Sequence, residues 1–176
     1  MTYKDKITES MAWLVEQSNT IFLGEGIINA GRIYGTLDRV PLNRCIEMPI
    51  AENLIAGSAI GLAIAGYRPV VIFQRMDFML IAADAIINHM ALIPKMSGDR
   101  IKLPIIIRAT IGSRSKQFDC GPQHNHDFRH IFAPYITTFN FEQGVYQIAY
   151  QRNEPVLIVD DKDLYENETD NITPRI

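Results

Sequence analysis

Glu52 is the first residue whose type and place in the sequence point to chemistry. It begins the stretch ENLIAGSAIGLAIAG (52–66), in which it is the one ionisable side chain. A carboxylate in the first turn of a helix is favoured by the helix dipole, so a helix-start acid without chemistry is one interpretation. The context favours another, because Glu52 follows Pro49 at the end of a predicted strand, where parallel sheets bind ligands.

A cluster of histidines is the second such feature. Three of the four histidines of the chain lie within seven residues of GPQHNHDFRH (121–130), namely His124, His126 and His130. Spacings of two and four residues are compatible with a metal site. No cysteine-rich or acidic ligand set accompanies them, so we expect no metal here.

Helices and strands that alternate along the chain must position these residues. Apolar periodicity predicts helices over 6–18, 52–66, 78–93 and 142–152, and strands over 20–23, 43–48, 69–73, 104–108, 135–139 and 155–159. We expect Asp77 to be the N-cap of the third helix. The strands are short, apolar and rich in β-branched residues, which is typical of strands that are covered on both faces.

This alternation predicts an α/β fold, a three-layer sandwich with a mostly parallel sheet of about six strands flanked by helices. Ligands bind such sheets at the carboxyl ends of the strands. We therefore expect functional residues on the loops that begin at Gly24, Met48, Gln74 and Ala109.

The helix over 52–66 is rich in small residues, and Gly57 and Gly61 lie four residues apart on one of its faces. A glycine within a helix costs about 1 kcal/mol relative to alanine, so a structural reason is expected. Two explanations stay open. The face packs tightly on the protein's own sheet, or it lies at a subunit interface.

Composition argues against several classes of function. The 176 residues suit one domain, and the net charge of −3 gives no reason to expect a nucleic-acid partner. The longest apolar run, Leu54 to Ala65, is shorter than the about 20 residues that span a bilayer, and MTYKDKITES lacks the apolar core of a signal peptide. Cys45 and Cys120 have no metal-ligand spacing. We expect a cytoplasmic protein that binds neither a nucleic acid nor a membrane.

The sequence around Glu52 resembles a known family. MPIAENLIAGSAIGLAIAGYRPV (48–70) is similar to the pyrimidine-binding (Pyr) domain of thiamine-diphosphate enzymes, especially the beta subunit of 2-oxo acid dehydrogenase decarboxylase components, with transketolases as wider relatives. Further similar motifs lie along the chain in the family's order: FLGEGI (22–27), residues 73–79 with DAIINHM (84–90), KMSGD (95–99), PIIIRATIG (104–112), GPQH (121–124) and PVLIVDDKDLY (155–165). The resemblance covers about residues 7–165 and implies the thiamine-diphosphate-binding fold.

The resemblance assigns a role to Glu52. In the family, the matching glutamate bonds to ring nitrogen N1′ of the cofactor's aminopyrimidine and favours the imino tautomer, whose 4′ nitrogen removes the thiazolium C2 proton. Phe78 matches the aromatic residue that packs against the pyrimidine, and Glu25 matches an acid near the cofactor in the first-strand turn. Their positions leave open plain core packing for Phe78 and a solvated loop charge for Glu25.

His124 matches a family histidine that lies near the reacting carbon and polarises or protonates substrate and intermediates. An imidazole suits that work at neutral pH. The sequence departs from the family pattern beside it, where Asn125-His126 replaces the usual Ser-Gln. Arg114 and Lys116, in GSRSK, are candidates to meet an acidic substrate, although such residues more often serve surface solubility.

The resemblance also implies a partner. In the family, Mg²⁺ and a second domain with a Gly-Asp-Gly motif hold the diphosphate, and Gly98-Asp99 here lacks the rest of that motif. We therefore expect thiamine diphosphate to be shared with a diphosphate-binding (alpha-like) subunit that holds the Mg²⁺, in a heterotetramer with active sites at the interfaces.

The expected domain organisation follows the same comparison. We expect a Pyr domain over 1–165 and a polar C-terminal tail over 166–176, with polar sequence beginning at Asp160. The C-terminal domain of full-length beta subunits would begin where this sequence stops. Membership of a large lipoyl-dependent complex is therefore not expected.

These inferences converge on a Pyr-domain subunit of a split thiamine-diphosphate enzyme that cleaves or joins carbon–carbon bonds next to a carbonyl of a small-molecule substrate. GPQH and KMSGD favour decarboxylation of a 2-oxo acid. Transketolase-type ketol transfer and a non-catalytic interaction subunit that kept the fold are the alternatives. A nucleotide-binding α/β protein is a weaker one, because no glycine-rich phosphate loop follows any strand.

Overall fold

Six parallel strands form one sheet in the computed structural model, which describes residues 1–29, 31–115 and 122–167. In chain order, the strands are β1 (Thr20–Gly24), β2 (Cys45–Glu47), β3 (Arg68–Phe73), β4 (Ile106–Ile111), β5 (Thr137–Asn140) and β6 (Val156–Asp161). Their order across the sheet is β2-β1-β3-β4-β6-β5, and every neighbouring pair is parallel. The predicted sheet is confirmed.

Helices cover both faces of this sheet and give the predicted three layers. The α-helices are α1 (Tyr3–Glu16), α2 (Glu52–Ile64), α3 (Ile93–Met96), α4 (Arg129–Phe132) and α5 (Val145–Gln151). α1 and α5 lie on one face. α2 lies on the other, together with a 3₁₀ segment (Met76–Ala82) and a π-helical segment (Asp84–Met90).

The apolar strands contribute side chains to two separate hydrophobic cores, one on each face of the sheet, because successive side chains of a strand point to opposite faces. On β3, Val71 and Phe73 are buried under α2, whereas Val70 and Ile72 are buried under α1 and α5. The central strands are therefore buried on both faces and mainly apolar, which explains their lack of polar alternation.

Two of the predicted helices differ from the structure, one in where it begins and one in its type. α1 begins at Tyr3 because Thr2 and Asp5 form a capping box, in which each side chain accepts a hydrogen bond from the other residue's backbone N–H. The predicted helix over 78–93 is wrong in type, since the chain there runs through the 3₁₀ and π-helical segments. Asp77 is not its N-cap and instead bonds to His126.

The small-residue helix α2 packs on the sheet through Ile55, Ala56 and Ala59 rather than through its glycines. Gly57 and Gly61 are exposed, and no described atom lies within 4 Å of where their Cβ atoms would be. The explanation that this glycine face packs on the protein's own sheet is therefore wrong. The interface explanation stays a prediction.

A buried ion pair ties the centre of the sheet to residues that the sequence suggested were a polar tail. Arg108 on β4 and Asp160 on β6 are both fully buried, with 2.7 Å between Nε and Oδ2. Arg108 also donates to the hydroxyls of Thr36 and Tyr165, and the Tyr165 hydroxyl donates to Asp160. Asp160 and Tyr165 are thus part of the core, while residues 161–164 between them are partly exposed. Of the tail over 166–176, the residues after 167 lie outside the described ranges.

A left-handed turn lies near this ion pair. Five consecutive residues, Gly31 to Gly35, have positive φ angles, including Arg32, Ile33 and Tyr34 at 47°, 52° and 58°. Each non-glycine residue in this region costs roughly 1–2 kcal/mol. Burial of the Ile33 side chain and the bond from Arg108 to Thr36 hold the turn in place.

Among the described residues, no single helix has both the length and the apolar character to cross a membrane. The bent pair Met76–Ala82 and Asp84–Met96 meets the length and hydropathy criteria only when its two parts are counted together. Cys45 is a free thiol, and Cys120 lies outside the described residues.

Candidate active site

A cleft of about 690 Å³ opens at the carboxyl ends of β1 and β3, beside the start of α2. All four site residues singled out by the sequence line it, namely Glu25, Glu52, Phe78 and His124. Much of the remaining wall is apolar and consists of Ile50, Ala51, Ile55, Ile72, Phe73 and Ile81. Parallel sheets bind ligands at this edge, and the cleft has the size and mainly apolar character of a cofactor site.

Glu52 places a carboxylate in this wall with little access to water. The residue is 9% exposed and is the first residue of α2, where the helix dipole favours negative charge. None of the described residues donates a hydrogen bond to its carboxylate. An acceptor of this kind, on a largely buried residue that lines a cleft, is suited to a ligand that brings its own N–H donor.

Glu25 lies in the turn after β1, and a second glutamate fixes that turn. The carboxylate of Glu47, at the end of β2, accepts hydrogen bonds from the backbone N–H groups of Gly26 and Ile28, both at 2.6 Å. Sequence reasoning missed Glu47. Its position at the end of a strand beside β1 is the signal that could have identified it.

Phe78 and His124 meet at the cleft, although they are 46 residues apart in sequence. Their ring centroids are 5.2 Å apart and the rings are nearly perpendicular. Gly112, just after β4, lets the backbone of His124 approach closely, since a Cβ on Gly112 would lie 1.9 Å from the carbonyl oxygen of His124. The position of His124 is therefore fixed by contacts on two sides.

The other two histidines do not join His124 in a metal site. His126 is half-exposed and bonds through Nδ1 to Asp77, while His130 is exposed beside Phe128. The described part of the chain contains no group of three or more histidine, cysteine, aspartate and glutamate residues that could hold a metal ion.

Arg75 is a cleft residue that was not among the predicted site residues, although it follows Gln74, where a predicted functional loop begins. It is 7% exposed, and its guanidinium lies 4.9 Å from the ring centre of Tyr34, which also lines the cleft. Lys162 contacts the same ring, with 3.9 Å between Nζ and the centroid. Burial, and then the charge of Arg75, lowers the pKa of Lys162. One positively charged residue, Arg75, therefore lines the same cleft as Glu25 and Glu52.

The candidate substrate contacts Arg114 and Lys116 do not line the cleft. Arg114 is exposed and its backbone N–H bonds to Asp163, while Lys116 lies outside the described residues. Asp163 also accepts from the hydroxyls of Ser113 and Ser115. Partial burial raises the pKa of Asp163, but these hydrogen bonds outweigh it and lower the pKa to about 2.

Comparison with known families agrees with this geometry. The family model "Transketolase, pyrimidine binding domain" matches residues 1–125. The chain belongs to this family. The resemblance found in the sequence is thereby confirmed, while the roles of Glu25, Glu52, Phe78 and His124 stay predictions.

Individual sequence relatives are beta subunits of the pyruvate dehydrogenase E1 component. The chain is 28% identical over 184 residues to the pyruvate dehydrogenase E1 component subunit beta of Rickettsia conorii, covering 97% of this chain and 55% of that protein. It is also 28% identical over 177 residues to the human mitochondrial counterpart, covering 94% and 48%. The chain therefore spans about half the length of these relatives.

A solved structure titled "Split gene transketolase, inactive beta4 tetramer" shares the fold. Its TM-score is 0.71 at 19% sequence identity, and the match covers all of this chain and 55% of the other. The structural match extends beyond the residues matched by the family model, and buried residues such as Tyr165 continue the core there. The domain limits of 1–165 and 166–176 nevertheless stay a prediction.

Proposed function

We propose that this chain is the Pyr-domain subunit of a split thiamine-diphosphate-dependent enzyme that decarboxylates 2-oxo acids together with a diphosphate-binding partner subunit. One observation carries the proposal. Glu52 is only 9% exposed, lines a mainly apolar cleft, and receives no hydrogen bond at its carboxylate from the described residues. An acid in that state is available to share a proton with a heterocyclic nitrogen.

The cleft suits an aminopyrimidine. Glu52 would hold the proton at N1′, and the ring of Phe78 offers an apolar surface for the heterocycle. The buried isoleucines Ile55 and Ile72 give the cleft an apolar wall, and low polarity strengthens the interaction of Glu52 with a bound N–H group. When bound, thiamine diphosphate supplies the nucleophilic carbon and the electron sink.

The other polar residues of the cleft have roles in proton transfer and substrate binding. His124 is suited to donate and accept a proton at the substrate carbonyl, because its ring reaches the cleft beside Phe78. Glu25 adds negative charge at the turn after β1. Arg75 supports an anionic substrate, since it is a positively charged residue in the wall of the cleft and a positive charge attracts a carboxylate. These features, with the named E1 beta relatives, favour a 2-oxo acid.

The outer face of α2, which we define as Leu54, Gly57, Gly61 and Ile64, supports the presence of a partner. All four residues are exposed, although a helix that is apolar on every side is normally buried. This face continues to Ile50 and Ile81, two exposed residues that also line the cleft. We therefore place the partner subunit over this face, where it would hold the diphosphate and Mg²⁺ and build a heterotetramer. A cytoplasmic location stays a prediction.

The test is thiamine-diphosphate-dependent turnover by the chain after co-expression and co-purification with the protein of a neighbouring gene that encodes a Gly-Asp-Gly cofactor domain. Pyruvate and branched-chain 2-oxo acids would be assayed with an artificial electron acceptor, and ketose phosphates would be assayed for ketol transfer. Glu52→Gln should lower kcat at least about 100-fold, the range of a lost acid–base contribution. The control Glu142→Gln changes an exposed glutamate outside the cleft and should keep full activity.

Three results would contradict the proposal. Full activity of Glu52→Gln would refute the role of that carboxylate. Turnover of ketose phosphates alone would favour the transketolase-type alternative. A stable complex that turns over neither class in the presence of thiamine diphosphate and Mg²⁺ would favour a non-catalytic interaction subunit.

A further inference from the structure

Two segments beside the cleft, residues 76–78 and 124–128, are joined by three contacts. Three consecutive residues of the 3₁₀ segment contact three alternate residues of the segment that carries His124. We call this set the clasp, and its pairs are Met76 with Phe128, Asp77 with His126, and Phe78 with His124.

The polar pair lies in the middle of the clasp. Oδ1 of Asp77 accepts a hydrogen bond from Nδ1 of His126 at 2.6 Å and another from its backbone N–H at 3.3 Å. The side chain of Asp77 is 7% exposed, whereas the ring of His126 is 50% exposed. Oδ2 of Asp77 is buried and accepts no hydrogen bond from the described residues. The segment 122–128 thus provides the partner of an otherwise isolated buried carboxylate.

The two outer pairs are weak by comparison. The backbone N–H of Phe128 donates to Sδ of Met76 at 3.3 Å, and thioether sulfur is a poor acceptor. Phe78 and His124 make an edge-to-face contact, which is worth about 0.5–1.5 kcal/mol. A charge-assisted hydrogen bond is stronger than a neutral one and, unlike the ring contact, has a fixed direction.

We propose that Asp77 and His126 are positioning residues that fasten the segment 122–128, so that His124 stays against Phe78 at the cleft. His126 does not line the cleft and therefore acts through His124. The inference rests on the proposed function only for the catalytic role of His124. The effect on the position of His124 is independent of cofactor, partner and substrate.

The experiment uses the isolated chain and four variants. His126→Ala and Asp77→Asn weaken or remove the middle pair of the clasp. His126→Gln keeps a side-chain N–H that can reach Asp77 and should act as the rescue. His130→Ala is the matched control, because it removes an exposed histidine from the same region without a contact to Asp77. Thermal unfolding of each variant establishes that it is folded.

Two measurements report on His124 itself. Its imidazole carbon-bound proton signals in NMR carry the ring-current shift of Phe78, and its rate of carbethoxylation by diethyl pyrocarbonate reports access to the ring. In His126→Ala we expect the His124 signals to lose the ring-current shift. We also expect the carbethoxylation rate to rise about fivefold, because a partly exposed charged pair contributes at most about 1 kcal/mol, which is a fivefold change in the population of the detached His124 ring. His126→Gln and His130→Ala should match the unmodified chain.

The proposal is overturned if His126→Ala is folded and both the His124 signals and the carbethoxylation rate are unchanged. It is also overturned if His126→Gln behaves like His126→Ala, because the hydrogen bond would then not be the operative contact. Both measurements are made without thiamine diphosphate, so they fail or succeed separately from the proposed enzymatic activity. In the assembled enzyme, a positioning role lowers kcat for His126→Ala and leaves cofactor affinity unchanged.

Discussion

Gly112→Ala is the substitution that tests most directly how the fold positions His124. The added methyl carbon would lie 1.9 Å from the carbonyl oxygen of His124 and 3.3 Å from Nε of Arg75. Real Cβ atoms essentially never approach within 3.0 Å, so Gly112 and His124 must separate by about 1.1 Å. Both atoms of the clash belong to the backbone or are fixed to it, so a side-chain rotation cannot relieve it.

The expected effect is larger on activity than on stability. Overpacking of this kind costs about 1–3 kcal/mol of unfolding free energy. A catalytic group displaced by about 1 Å can lose roughly 100-fold in rate, so kcat of the assembled enzyme should fall by that factor. Gly57→Ala is the control for stability in the isolated chain, because no described atom is near that Cβ position and alanine favours the helix by about 1 kcal/mol.

The assays are chemical denaturation and the NMR signals of His124 in the isolated chain, followed by kcat in the assembled enzyme. Gly112→Ala should shift the His124 signals while the remaining core signals persist. If the variant keeps both the His124 signals and kcat, the close approach of Gly112 does not set the position of His124, and the reasoning fails.

Three further predictions concern the buried ion pair, acid stability and substrate charge. Asp160→Asn leaves Arg108 as an uncompensated buried charge and should cost about 3–5 kcal/mol, which lowers Tm by roughly 6–20 °C in thermal unfolding. Asp99→Asn, in an exposed pair with Lys102, should change the unfolding free energy by less than about 1 kcal/mol, and a similar cost for both variants would contradict the argument. Asp163, whose pKa is lowered from 3.8 to about 2, stabilises the folded state above its ordinary pKa, and this stabilisation is lost as the pH falls through that window. Urea unfolding of Asp163→Asn should therefore show a flatter acid limb than the unmodified chain, and identical limbs would refute this. Arg75→Met should raise KM for a 2-oxo acid by roughly 10- to 100-fold, the value of a charge-assisted hydrogen bond, and an unchanged KM in steady-state kinetics would exclude Arg75 as the carboxylate contact.

Local sequence patterns predicted the sheet well and the site in part. The central strands are mainly apolar and rich in β-branched residues, so their order along the chain could be predicted from the sequence. Glu52 stood out because it begins a helix just after a strand. The chain between Met76 and Met90 was misjudged because apolar periodicity does not separate α from 3₁₀ and π geometry. Asp77 has the residue type of an N-cap, but its bond to His126 joins residues 49 apart in sequence.

Polar residues with distant partners were the hardest to interpret. In the sequence, Asp160 looks like the start of a polar tail. The residue that pairs with it in the core, Arg108, is 52 positions away. Glu47 and Arg75 have ordinary surroundings in the sequence, and only the folded sheet brings them to the turn after β1 and to the cleft. A local pattern reports exposure on average, and it cannot report a specific pairing across the fold.

The strand order has a consequence for how the chain is made. β6 lies between β4 and β5, yet it leaves the ribosome after both of them. Until β6 emerges, β4 presents an open hydrogen-bonding edge in a nascent chain, and such edges invite pairing with other chains. β4 and β5 each pair with β6, so both of these pairings can form only after β6 has emerged.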